Sequence, residues 1–129
     1  MWAYACGLDM TRRDLQADAK KAGRPWAFGK DFEGAAVLGA LVPASQIGHP
    51  ARGAIELAVN GQRRQHGDLA DLIWRVPEVV ANLSQYYHLQ PGDLIYTGTP
   101  EGVGPVQPGD RLEGRIDGVG DVVLTVGPV

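Results

Sequence analysis

Two stretches of this chain bring together residue types that do chemistry. In the first, Gly7-Leu-Asp-Met-Thr-Arg-Arg-Asp-Leu-Gln16, Asp9 follows strand-forming residues and precedes a helix start. A carboxylate at a strand end suits a hard cation, because the backbone there is stiff and points into a cleft. Arg13 and Gln16 are three apart and share one face of the first helical turns. That face can present a planar donor fork and an amide to a carboxylate ligand. The competing reading is structural: Asp9 caps the helix and Arg13 pairs with Asp18 on the surface.

The second stretch is Tyr96-Thr-Gly-Thr-Pro-Glu-Gly-Val-Gly104. A strand running into Gly98-Thr99-Pro100 and further glycines lets backbone N–H groups come close to a ligand oxyanion. The plainer reading is a glycine-rich turn. The lysine and Ser/Thr of a nucleotide P-loop are missing, which excludes that mode of binding. Lys30 sits in a loop with Trp26, Phe28 and Phe32, either as a solvated charge on a buried stem or as a cation facing a substrate. His49, His66 and His88 have no ligand spacing, and no Glu-x-Glu or other paired-carboxylate motif occurs.

The elements that must position these residues are short. Met1–Leu8 reads as a strand. Thr11–Ala22 reads as a helix, with Thr11 and Asp14 as a weak capping box and Leu15, Ala19 and Ala22 as its apolar stripe. Gly23 and Pro25 end it. Residues 23–34 read as a loop, Val37–Val42 as a strand and Pro43–Gly53 as a surface loop. Ile55, Leu57 and Val59 alternate, Asn60-Gly61 is a strong hairpin signal, and Gln62–His66 returns with a polar face. A second helix is expected over Val76–His88, with Pro77 in its first turn and Val79, Val80, Leu83, Tyr86 and Tyr87 inward. Pro91-Gly92-Asp93 and Pro108-Gly109-Asp110 read as turns, and Leu94–Thr97 as a strand. Arg111–Ile116 and Val119–Val126 read as strands joined across Asp117-Gly118. The fold class is α+β, β-rich, in one domain over residues 1–129.

Composition agrees. The 129 residues are 44% hydrophobic and 21% charged, with 18 glycines and 9 prolines, too much punctuation for a helical bundle. The formal net charge of −3 disfavours a nucleic-acid groove. The one cysteine, Cys6, can form no internal disulfide and reads as a small core residue. No apolar run spans a membrane and no secretion signal appears, so a cytoplasmic protein is expected.

These pieces together resemble the fumarylacetoacetate hydrolase superfamily. Gly7-Leu-Asp-Met-Thr-Arg-Arg-Asp-Leu-Gln16, Gly29-Lys-Asp-Phe-Glu33, Val59-Asn-Gly-Gln-Arg-Arg-Gln65, Pro91 to Gly104 and Pro108-Gly-Asp110 match its motifs in order, over essentially the whole chain. The form of the first motif is most like fumarylpyruvate and acylpyruvate hydrolases. The resemblance implies a mixed β-roll of the C-terminal-domain type with two main helices, usually a homodimer. It implies Mg²⁺ or Mn²⁺ held by three carboxylates, of which Asp9 matches the third. The other two form a Glu-x-Glu pair expected upstream, with a Glu/His general base. Both are absent from this chain, so an incomplete domain is expected, inactive alone. Arg13, Gln16, Lys30 and Thr99 match positions that shape the site or contact substrate. Lys30 would hold developing negative charge, and Thr99 would fix the substrate. The implied reaction is C–C cleavage of a small-molecule 2,4-dioxo acid in aromatic-compound degradation. The alternatives are 2-oxo-diacid decarboxylation, a hydroxymuconate-type isomerisation, or a non-catalytic relic or interaction module.

Overall fold

The computed structural model describes residues 1–128. Among these described residues strands dominate, as α+β expects: eight short strands, four α-helical segments and a 3-10 turn. The centre is a four-stranded antiparallel sheet. It comprises β5 (Ala54–Val59), β6 (Gln62–Asp68), β7 (Arg111–Ile116) and β8 (Gly120–Thr125), in the order β6-β5-β7-β8.

Alternation gives this sheet two unlike faces. Leu57 pairs with Gln65 and Gly114, and Val59 with Leu112, on the inner face. That face buries Val59, Leu112 and Val122 against Cys6 and Leu8. Glu56, His66, Arg115 and Asp121 line up across the outer face. Asn60 and Gly61 adopt φ of 52° and 75°, the left-handed pair that the Asn-Gly hairpin turn requires. Between Leu57 and Ala58 the β5–β6 register shifts. Leu57 faces Gln65 while Ala58 faces Arg63, so Arg64 is an extra, bulged residue.

Several expected elements differ. Met1–Leu8 is not one strand but two, β1 (Ala3–Tyr4) and β2 (Gly7–Asp9), and Val37–Val42 likewise splits. β2 pairs with β3 (Ala36–Leu38), and β1 with β4 (Val42–Pro43). The ladder breaks where Gly39 passes so close to the Asp121 carbonyl that any Cβ would strike it. The two-residue turn at Asp117-Gly118 is a three-residue one, because Ile116 pairs with Gly120 and Val119 N–H donates to the Ile116 carbonyl. Leu94–Thr97 forms no strand. The loop over 23–34 contains α2 (Ala27–Lys30), and the one over 43–53 contains α3 (Ala44–Ile47).

The first helix, α1, is shorter than expected, Arg13–Lys21, and no side chain caps its start. Thr11 instead serves Lys30, so the proposed capping box does not form. Leu15 is exposed; Arg13, Gln16 and Ala19 are the half-buried positions, and the helix buries nothing fully. The last helix, α4 (Val76–Leu83), does carry Pro77 in its first turn, but it ends before Tyr86 and Tyr87, which are 73% and 65% exposed.

Candidate active site

β2 delivers Asp9 to the rim of the core, and α2 delivers Lys30 opposite it. Lys30 Nζ donates to Asp9 Oδ2 at 2.7 Å and to Thr11 Oγ1 at 2.9 Å. An ammonium has three N–H groups, so one remains for a ligand. Neither structural alternative for Asp9 holds: it does not cap α1, whose flanking residue Arg12 has no side-chain partner there, and its partner is Lys30. Arg13 Nη1 donates to Gln16 Oε1 at 3.0 Å, rather than pairing with Asp18. Gly29 lets α2 approach α1: a Cβ there would lie 3.1 Å from the Gln16 backbone nitrogen.

The Gly98-Thr99-Pro100 bend lies against β6. Gln65, buried on the inner face, donates from Nε2 to Thr99 Oγ1 at 2.8 Å and to the Pro100 carbonyl at 2.6 Å. Because the Thr99 oxygen accepts from Gln65, its own hydroxyl proton is free to donate elsewhere. Tyr96 O–H donates to the Val37 carbonyl at 2.8 Å and packs against Gly7, where a Cβ would meet its ring at 2.9 Å. Burial, and secondarily the nearby Asp9 charge, raise the Tyr96 phenol above its usual range. The phenol therefore stays protonated and anchors the segment.

Asp9, Arg13, Gln16, Lys30 and Thr99 all line one open cleft of about 820 Å³. Sequence reasoning assigned no role to Gln65 or Arg64. A buried glutamine facing Leu57 in a strand of otherwise exposed polar residues is invisible without the pairing. Cys6 is buried and its thiol is pushed up to about 11, first by burial and then by Asp121, so it is an inert core residue.

The Fumarylacetoacetate (FAA) hydrolase C-terminal family matches residues 1–127. The chain belongs to this family. A fumarylpyruvate hydrolase from Ralstonia is 56% identical over 128 residues, covering 99% of this chain and 66% of the relative. The oxaloacetate tautomerase of Escherichia coli is 42% identical, over 89% of this chain and 53% of its own length. The structure of Pseudomonas aeruginosa fumarylpyruvate hydrolase, in complex with Mn²⁺ and pyruvate, superimposes with a TM-score of 0.95 at 53% identity. That match covers 99% of this chain and 55% of the other. The chain thus spans between half and two thirds of these relatives. The fold is that of the family's C-terminal domain.

A divalent cation needs several oxygen ligands in near-octahedral array. Among the described residues no group of three or more His, Cys, Asp or Glu side chains converges. Asp9 stands as a single carboxylate, already engaged by Lys30. The residues of this chain do not by themselves fit Mg²⁺ or Mn²⁺. Among the described residues no helix is long and apolar enough to cross a membrane.

Proposed function

We propose that this chain is the 2-oxo-acid-binding part of a metal-dependent hydrolase that cleaves a C–C bond of a 2,4-dioxo acid. The natural setting would be aromatic-compound degradation. What supports this is the meeting of Asp9, Lys30 and Thr99 in one cleft, together with the fumarylpyruvate hydrolase relatives.

Breaking the bond leaves negative charge on an enolate oxygen. The free N–H of Lys30 would meet that charge, and the Thr99 hydroxyl, aimed by Gln65, would hold the substrate oxygen. Arg13 and Gln16 shape the wall beside Lys30. Asp9 would be one of several ligands to Mg²⁺ or Mn²⁺, the others being carboxylates that this chain does not carry. The water-activating base lies outside it too. The exposed Trp2, Ile73 and Trp74 fit an assembly that covers them, such as a homodimer. The E. coli tautomerase favours a second reading, in which the same enolate stabilisation serves isomerisation or decarboxylation without hydrolysis.

Calorimetric titration with Mg²⁺ and oxalate tests the division of labour. This chain alone should bind the pair weakly, and binding should tighten once a Glu-x-Glu-bearing upstream part is added. In the completed protein, Asp9→Ala should remove metal-dependent turnover, and Lys30→Ala should lower kcat more than it raises KM. Near-normal turnover of the Asp9→Ala protein would defeat the assignment.

A further inference from the structure

Thr11 sits where the sequence offers it as a cap for α1. No side chain caps that helix. The Thr11 oxygen instead accepts from Lys30 Nζ at 2.9 Å, and its hydroxyl donates to the Asp9 carbonyl at 3.5 Å. The hydroxyl proton and one lone pair are thus committed away from the helix.

The backbone makes this placement firm. On one side of Thr11, Met10 N–H donates to the Ala35 carbonyl at 2.8 Å. On the other, Arg12 N–H donates to the Gly29 carbonyl at 3.0 Å. Gly29 directly precedes Lys30, so the second bond ties the chain beside Thr11 to the chain beside the lysine. Threonine is β-branched and stiff about χ1, so a fixed backbone also fixes its oxygen.

The consequence for Lys30 follows from counting constraints. Its ammonium and the Asp9 carboxylate meet at 2.7 Å, but the two side chains are 34% and 53% exposed. A pair so open to water is weakly held. One hydrogen bond also leaves the ammonium free to turn about that bond. A second acceptor, off the line of the first, removes the rotation. With two of the three N–H groups held, the tetrahedral nitrogen sets the direction of the third. Asp9, Thr11 and Lys30 all line the cleft.

We propose that Thr11 is a positioning residue, which with Asp9 fixes the direction in which Lys30 presents its third N–H to an oxo-acid ligand. Thr11 acts through the lysine rather than on the ligand. The inference rests on the 2-oxo-acid reading of the cleft and adds the residue that orients its cation.

The chain has only the lysines Lys20, Lys21 and Lys30, so NMR of the chain carrying nitrogen-labelled lysine reads each ammonium separately. Lys20 and Lys21, exposed in the last turn of α1, are internal references. At mildly acidic pH the ammonium protons of Lys30 should exchange with water several times more slowly than theirs. Thr11→Val keeps the side-chain shape and removes the hydroxyl. It should speed Lys30 exchange several-fold and leave the references unmoved, a selectivity that a merely structural role would not produce. Oxalate, titrated into the millimolar range and followed on the Lys30 signal, should bind the Thr11→Val chain about fivefold more weakly, the effect of one ordinary hydrogen bond. Thr11→Ser should restore both readings. Unchanged Lys30 exchange in Thr11→Val, unchanged oxalate affinity despite faster exchange, or no rescue by serine would overturn the role of Thr11 while leaving the oxo-acid site standing. Failure of the unmutated chain to bind oxalate would remove that site, and this inference with it.

Discussion

The β5–β8 sheet and the 94–107 segment beside it are built by opposite rules. The sheet is held by continuous backbone pairing and by an apolar inner face that buries Val59, Leu112 and Val122. The segment has no paired strand. Tyr96 ties it to Val37, Gln65 ties Thr99 and Pro100 to β6, and Gly102 lets it lie on the Arg64 carbonyl. Much of the stability thus resides in the sheet, while Thr99, which would hold a substrate oxygen, sits on a loop steadied by a few anchors.

The comparison breaks first at the core. Leu112 is only 3% exposed, so Leu112→Ala should lower stability by about 3 kcal/mol through the lost burial and the cavity left behind. Urea unfolding measures this. Oxalate affinity of the remaining folded molecules should not change. If it collapses at full folding, sheet and segment are not separable.

Gly102→Ala probes the other side. Gly102 has φ of 99°, and a Cβ there would run into the Arg64 carbonyl. The combined strain should cost roughly 2 kcal/mol. Here the loss should fall on ligand binding as well, because the Thr99 bend must move off Gln65. Unaltered oxalate affinity would show that this seating is not needed.

The smallest effect concerns acid. Backbone N–H donors hold Asp68 (from Ala70 and Gly53) and Asp110 (from Gln107, with Asn60 helping) below the usual carboxylate value of 3.8. A lowered folded-state value means stability that is fully present above 3.8 and lost as pH falls through the lower value of the folded chain. Both groups are exposed, so the change is small. Urea midpoints should drop between pH 5 and about 3, less so in Asp110→Asn. An equally steep drop in that variant would remove Asp110 from the account.

Much of this was legible beforehand. The Asn60-Gly61 hairpin followed from turn chemistry, and the order of motifs along the chain pointed to the family. The errors have physical causes. Leu15, Tyr86 and Tyr87 looked like inward faces, since periodicity reports that a helix has a side but not what covers it. Thr11 looked like a cap, because a cap and a lysine partner draw on the same hydroxyl. The strand expected over Leu94–Thr97 has the right residues and no neighbour to pair with.

By itself, the sequence determined which residues could act on an oxo acid and the local turns between them, because backbone preferences and side-chain chemistry are properties of short stretches. Only the tertiary structure decided that Asp9 closes on Lys30, that Gln65 aims Thr99, and that a bulge at Arg64 breaks the alternation of β6. Those outcomes depend on register and on contacts between segments far apart in the chain, to which local spacing is blind.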